Sequence, residues 1–312
     1  MKALVTGGAG FIGTHLVERL LKENYEVISV DNFTLGKKEN VDKFAGNPNF
    51  KFYQLDINET EIFCESLKDE QIDLIYHLAA NSDIQKGGKN PLIDYSDTFM
   101  TTFSVLELMR RNNIKNLFFS STSAIYGDEQ GKHVHEDLGG LLPISYYGGS
   151  KLASENFISA YSYMNDLNVV TFRFPNVIGP NLTHGVIFDF VKKLRNNPNE
   201  LEILGDGTQT KPYIYVTDLI DCIMYMTKEM KPGVEIYNVG VETATSVTRI
   251  ADIVCEVLGF QNVEYKYTGG NVGWKGDVPK FQYDLTKIHS TGWKAKYTSD
   301  DAVRNTVESI KE

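Results

Sequence analysis

Residues 6–13 read TGGAGFIG, directly after the apolar run KALVT (2–6) and directly before a helical pattern over about 11–23. Gly7, Gly10 and Gly13 fall at the spacing G-x-x-G-x-x-G. Without side chains, such a loop turns sharply and lets its backbone approach a pyrophosphate. The helix that follows offers free N–H groups and a positive dipole end to the same anion. Phe11 and Ile12 lie inside this loop–helix junction. An acid follows the second apolar run: Asp31 comes 18 residues after Gly13, with Asn32 next to it. That is where a carboxylate takes the ribose hydroxyls of a dinucleotide. A carboxylate repels a 2′-phosphate, so the expected cofactor is NAD rather than NADP, with Lys37 and Lys38 as the counter-signal.

KALVT, YEVISV (25–30), FKFYQL (50–55), IDLIYHLA (72–79), KNLFFSS (115–121) and VVTFRF (169–174) read as strands. They are continuously apolar rather than alternating, as parallel strands covered on both faces are. Helical patterns at about 11–23, 59–69, 91–113 and 147–165 separate them. This alternation predicts an α/β fold, a Rossmann-type doubly wound parallel sheet, with ligands at the carboxyl ends of the strands. Residues 1–175 are expected to form this domain. Residues 176–312 change pattern and are expected to form mainly a smaller substrate lobe, with helices near 185–197, 217–230, 246–258 and 300–311. EIYNVG (235–240) reads as a buried strand that returns to the main sheet. The lobes are then interleaved in sequence, and a cleft between them is expected to take a second ligand.

Composition narrows the function. Apolar residues make up 42% and charged residues 23% of 312, ordinary for a soluble globular chain. The formal net charge of −10 disfavours nucleic acid or an anionic membrane as partner. No charged-then-apolar leader precedes KALVT, and no apolar run approaches the ~20 residues of a membrane span. The three scattered cysteines, Cys64, Cys222 and Cys255, read as reduced thiols of a cytoplasmic protein.

The chemistry rests on SYYGGSK (145–151). The chain holds 17 Tyr and 24 Lys. Random placement gives about 1.3 Tyr-x-x-x-Lys pairs, so this spacing alone carries nothing. Two occur, Tyr147/Lys151 and Tyr283/Lys287. Context separates them. SSTSAIYG (120–127) brings hydroxyls to the end of the fifth strand, and Tyr147 and Lys151 open the next helix on one face. Tyr283 is expected to pack. A free tyrosine has pKa ≈ 10, and the adjacent ammonium with a cationic nicotinamide ring is expected to lower it toward neutrality. Tyr147 would then take a proton from a carbinol as hydride leaves.

TGGAGFIG, HLAA (77–80), SSTSAIYG and YYGGSK, in this order, resemble the extended short-chain dehydrogenase/reductase family. RFPNVIGP (173–180), GDGTQTKPYIYVTDL (205–219), YNVG (237–240) and GDVPKFQYDLTKIHSTGW (276–293) resemble its nucleotide-sugar members. The resemblance covers nearly the whole chain. It implies Thr122, Tyr147 and Lys151 as the catalytic set. It implies cofactor contacts from the glycine loop, from Asp31 and Asn32, from Asp56 and Ile57, and from Leu78, Ala79 and Ala80. Asp56 reads equally as holding the adenine amine or capping the helix at 59. For the substrate diphosphate and sugar it implies Ser123, Asn176, Val186, Lys211, Trp274 and Phe281. Lys211 and Trp274 stand where relatives have arginines, with Lys275 beside them to compensate, and Thr98 stands where many have Asn. Phe281 falls where bulk restricts the C2 substituent, favouring a plain hexose. The helices at 91–113 and 147–165 are expected to pair with a second copy as a homodimer.

Among such enzymes the residues after the Ser/Thr discriminate. Dehydratases carry Asp-Glu there; this chain has Ser123 and Ala124, and neither acts as a carboxyl acid or base. No cysteine lies near Thr122, as a reductase that also epimerises C3 and C5 would need. The expected activity is therefore an NAD-dependent 4-epimerase of a UDP-hexose of the glucose/galactose type. A 4,6-dehydratase or keto-sugar reductase is the alternative; a non-catalytic NAD sensor would need no base. His133, His135, Glu136 and Asp137 read as a solvated patch rather than a metal site, so no metal is expected. His77 reads as a satisfied core histidine, His15 as an exposed helix residue, and His184 as a loop residue near the expected cleft.

Overall fold

The computed structural model describes residues 1–129, 132–270, 278 and 280–311. In chain order the elements are β1 (Lys2–Thr6), α1 (Phe11–Lys22), β2 (Glu26–Asp31), α2 (Lys38–Asp42), β3 (Phe50–Gln54), α3 (Thr60–Ser66), β4 (Leu74–His77), α4 (Ile84–Lys89) and α5 (Pro91–Asp94). A π-helical turn (Tyr95–Met100), α6 (Thr101–Asn112), β5 (Asn116–Thr122), a 3-10 turn (Ser123–Tyr126), β6 (His133–Val134), α7 (Tyr146–Asn165) and β7 (Asn168–Phe174) follow. Then come β8 (Asn176–Ile178), α8 (Val186–Asn196), β9 (Glu200–Ile203), β10 (Thr210–Lys211), β11 (Tyr213–Tyr215) and α9 (Val216–Met226). The last are β12 (Gly233–Asn238), β13 (Thr245–Ser246), α10 (Val247–Leu258), β14 (Glu264–Tyr267), β15 (Gln282–Tyr283), α11 (Thr286–Ser290) and α12 (Ser299–Lys311).

The chain divides into two compact units. One comprises Met1–Ile125, Leu142–Arg173 and Ile223–Tyr237; the other comprises Tyr126–Leu141, Phe174–Cys222 and Asn238–Glu312. The first holds a seven-stranded sheet in the order β12-β7-β5-β4-β1-β2-β3. β1 pairs in parallel with β2 and β4, β2 with β3, and β4 with β5. The doubly wound sheet expected from the apolar runs is thus present. β1 and β4 are apolar because both faces are covered: Leu4, Ile75 and Leu117 join Val105, Met109 and Ile158 from the flanking helices in one core. β3 departs from this reading. It ends the sheet, and its residues are half-buried or exposed.

The helix expected over 91–113 is broken. Asn90 caps α5 by accepting the Leu92 N–H at 3.2 Å, and Pro91 takes the first turn, where a missing N–H costs nothing. A π turn then inserts an extra residue before α6. The buried Thr98 lies in that turn, its hydroxyl oxygen accepting the Asn81 N–H at 3.2 Å. The short helices α2 and α4 have too few residues to show a period.

The second unit packs Ile187, Phe190, Leu201, Ile214, Ile250, Val254 and Val303 into its interior. Short paired strands cover this core: β8 with β11, β9 with β14 and β6 with β15 in parallel, and β10 with β13 antiparallel. α10 starts at Ser246, whose hydroxyl accepts the Arg249 N–H, and stops at Gly259 in the left-handed region. Among the described residues no helix is long and apolar enough to cross a membrane.

Candidate active site

β1 runs into the glycine loop. Gly7 has φ +73°, and a Cβ there would lie 2.8 Å from the Ala79 nitrogen. A Cβ on Gly13 would lie 2.1 Å from the Gly7 carbonyl oxygen. Any side chain at these two positions would push α1 off the sheet and the loop off residues 78–79. α1 starts at Gly10 with no side-chain cap and no acid in its first turn. Its first N–H groups and dipole end are thus available to an anion, the setting a dinucleotide pyrophosphate requires.

Asp31 ends β2 and is buried. Its oxygens accept the Ala9 N–H at 3.0 Å and the Phe33 N–H at 2.8 Å. Burial pushes its carboxyl up against the pull of these bonds. Asp31 therefore also ties the glycine loop to β2, a role beyond the ribose contact expected of it. Asn32 turns the chain by accepting the Thr34 N–H. Lys38, the counter-signal for a 2′-phosphate, pairs with Asp42 at 2.9 Å. Asp56 does not cap the helix with its side chain; it accepts the Asn58 N–H at 2.9 Å beside the buried Ile57. Leu78 and Ala79 donate their N–H groups to the Thr6 hydroxyl oxygen at 3.2 and 3.3 Å.

The residues expected to be catalytic meet at the carboxyl end of β5. Thr122 is the last strand residue and is buried. Ser145 caps α7 by accepting the Gly148 N–H at 3.1 Å, so Tyr147 lies in the first helical turn. A Cβ on Gly148 would lie 2.5 Å from the Ala124 carbonyl oxygen. That glycine lets α7 approach the turn after β5, and the Tyr147 hydroxyl hydrogen-bonds Thr122. One helical turn on, Lys151 is buried, its Nζ donating to the Ser120 carbonyl at 2.6 Å and lying 4.7 Å over the Phe119 ring. Thr122, Tyr147 and Lys151 are thus brought together.

Burial dominates the electrostatics of the cofactor-free chain. Tyr147 is half-buried as a residue, but its hydroxyl end lies deep, and burial pushes it up to about 12. Burial likewise lowers Lys151 to about 7. Without a cationic ring beside it Tyr147 stays a phenol, because desolvation outweighs the hydrogen bond from Thr122. Behind Lys151, Glu155 is buried and accepts from Ser121 and from Arg173, whose NH2 group is 2.7 Å away. This pair joins α7 to β5 and β7. Satisfied on both sides, it fixes the helix that carries the tyrosine and lysine.

One group near Tyr147 was not legible in the sequence. Asp94, at the end of α5, is buried; its Oδ1 accepts from Asn81 Nδ2 at 2.8 Å, and its Oδ2 has no hydrogen-bond partner. Its charge acts on Tyr147. Gly87 makes room for it, since a Cβ there would lie 2.1 Å from Asp94 Oδ2. Asp94 lies in the helical stretch opened by Pro91, and only the fold brings it toward α7. Ser123 and Ala124, in the 3-10 turn, supply no carboxyl, as read from the sequence.

The remaining candidates belong to the second unit. Asn176 opens β8 and is exposed; Val186 opens α8; Lys211 lies on β10 beside Thr245. Phe281 is buried edge-on against Tyr283, ring centroids 5.4 Å apart. Trp274 and Lys275 lie outside the described residues. His184 is exposed beside Thr183. His133 lies on β6, and Glu136 accepts the Asn238 N–H at 2.7 Å. Among the described residues no group of three His, Cys, Asp or Glu could hold a metal ion.

Residues 3–240 match the NAD dependent epimerase/dehydratase family. A solved UDP-galactose 4-epimerase superposes with a TM-score of 0.87 at 35% identity, covering 99% of this chain and 98% of its own. A Thermus thermophilus UDP-glucose 4-epimerase in complex with NAD superposes at 0.88 and 29% identity, covering 100% and 99%. A dTDP-D-glucose 4,6-dehydratase of Homo sapiens is 28% identical over 319 residues, covering 100% of this chain and 89% of its own. This chain belongs to the NAD dependent epimerase/dehydratase family, whose cofactor is NAD.

Proposed function

We propose that this family member is a nucleotide-sugar 4-epimerase acting on a UDP-hexose of the glucose/galactose type. The observation that carries the reading is the set Thr122, Tyr147 and Lys151 at the end of β5, followed by Ser123 and Ala124. The set handles one carbinol proton. The turn after it provides no carboxyl acid to expel water, which disfavours the dehydratase reading. NAD held by the glycine loop and Asp31 would supply reversible hydride acceptance at C4, so that the reaction needs no net oxidant.

The cradle of Gly7, Gly10, Phe11, Ile12 and Gly13 would hold the pyrophosphate, and Asp31 with Asn32 the ribose. Thr122 orients the C4 hydroxyl and shares its proton with Tyr147. Lys151, held by the Ser120 carbonyl, keeps positive charge beside the developing oxyanion. In the second unit, Asn176 and Lys211 would meet the diphosphate, Lys211 as a point charge without an arginine's fork. Phe281 would restrict the C2 substituent to a hydroxyl.

Leu92, Tyr95, Phe157, Tyr163 and Met164 are exposed on α5, the π turn and α7. We read this face as the contact with a second copy, so light scattering should give twice the chain mass.

The test of the activity is a panel of UDP-, GDP-, dTDP- and CDP-sugars followed by sugar analysis. Interconversion of UDP-glucose and UDP-galactose without net consumption of NAD is expected. A 4-keto-6-deoxy product would replace the epimerase by the dehydratase.

A further inference from the structure

Four buried side chains link β1 to α7: Thr6, His77, Thr102 and Ser154. Thr6 Oγ1 lies 2.8 Å from His77 Nδ1, His77 Nε2 lies 3.1 Å from Thr102 Oγ1, and Ser154 Oγ lies 3.1 Å from Thr102 Oγ1. The proton positions follow by satisfying every group. Thr6 Oγ1 already accepts two backbone N–H groups, from Ala79 and from Leu78, the latter shared with the Thr6 carbonyl at 3.2 Å. Its own proton must therefore go to Nδ1. Nε2 then carries the ring proton and donates to Thr102, whose hydroxyl donates to the Thr98 carbonyl at 2.9 Å. Ser154 donates to the Ser150 carbonyl at 3.0 Å or to Thr102. The opposite tautomer overloads the Thr6 oxygen with three donors and leaves its proton without an acceptor among the described residues.

The imidazole also stays neutral. It stacks on Phe119 with ring centroids 5.7 Å apart, Lys151 is the charged group that acts on it, and burial lowers it to about 3. A protonated ring would donate from Nδ1 into an oxygen that already takes two N–H groups.

We propose that His77, as the neutral Nε2–H tautomer, is a positioning residue for the cofactor loop. By taking the Thr6 proton it turns the Thr6 lone pairs toward the Leu78 and Ala79 amides. That fixes the 78–80 turn against Gly7, where a Cβ would already lie 2.8 Å from the Ala79 nitrogen. The inference rests on the reading that the glycine loop and residues 78–80 hold NAD.

The test combines nitrogen-15 NMR of the His77 ring with calorimetric titration of NAD into the full chain and its variants, melting temperature being followed alongside. Nε2 should carry the proton throughout the neutral range. His77→Asn offers an acceptor at the Nδ1 position and should bind NAD nearly as wild type does. His77→Leu and Thr6→Val should each weaken NAD roughly tenfold through a misplaced loop, whereas Thr6→Ser should not. Thr6→Val keeps the volume and serves if the His77 variants do not fold. A proton on Nδ1, equal losses in the Asn and Leu variants, or Thr6→Val binding as wild type would overturn the proposal. A wild-type chain that takes up no NAD would strike down the site reading and the inference with it.

Discussion

Tyr147/Lys151 and Tyr283/Lys287 share one spacing and nothing else. The first pair lies on α7, so four residues bring both side chains to one face, beside the end of β5. The second straddles β15 and α11. There Tyr283 packs edge-on against Tyr126 and Phe281, centroids 6.5 and 5.4 Å away. Spacing becomes chemistry only where a single helix carries both residues and something holds its first turn at a strand end. Here that is Gly148, which lets α7 touch the Ala124 carbonyl.

The largest test of this contrast is Tyr147→Phe, which should keep fold and NAD while lowering turnover about 10³-fold. Unchanged turnover would erase the distinction between the pairs. Lys151→Met should cost about 10²-fold in turnover and raise the melting temperature of the cofactor-free protein. The sign follows from burial. Lys151 titrates near 7 in the fold against 10.5 unfolded, so below about pH 7 both states carry the proton and the fold bears the whole cost of a buried ammonium. That cost fades between pH 7 and 10.5, so the gain from Met should be full below about pH 7 and vanish at high pH. A melting temperature lowered at pH 6 would contradict it.

Asp94→Asn probes the first pair through the buried carboxyl that acts on Tyr147. Burial is the main cause raising Tyr147, and the Asp94 charge adds to it. Removing that charge should move the rising arm of the pH–turnover profile to lower pH, with a few-fold change in rate. The profile reports Tyr147 against Thr122, Lys151 and Asp94, with Asp83 and Asp97 acting on Asp94 itself. An unmoved arm would remove Asp94 from the site. The smallest effect belongs to Tyr283→Phe and Lys287→Met, both expected within about twofold of wild-type turnover. A large loss in either would restore the second pair as chemistry.

Much of the first unit was legible because its signals are local. Strand runs announced the sheet, and TGGAGFIG announced a loop whose glycines the backbone demands. The hydroxyls of SSTSAIYG pointed to Tyr147, and the fold brings Thr122 to it. What stayed hidden depends on distant partners. Asp94 and Gly87 make room for each other only after α4 and α5 fold, and the π turn leaves no mark in an apolar period. The depth of the Tyr147 hydroxyl and the Lys151 ammonium stayed hidden for the same reason: a sequence shows neighbouring charges but not how deeply they are buried. β3 read as covered because its apolar content hides its place at the sheet end.

The strand order carries a consequence for synthesis. β7 (NVVTFRF) lies between β5 and β12, and β12 begins at Gly233, about sixty residues after β7 is complete. Until that segment leaves the ribosome, β7 presents an open edge rich in β-branched residues, the kind that pairs with other chains. A nascent chain stalled before residue 233 should therefore be the aggregation-prone species, and chaperone capture should concentrate in that interval of translation.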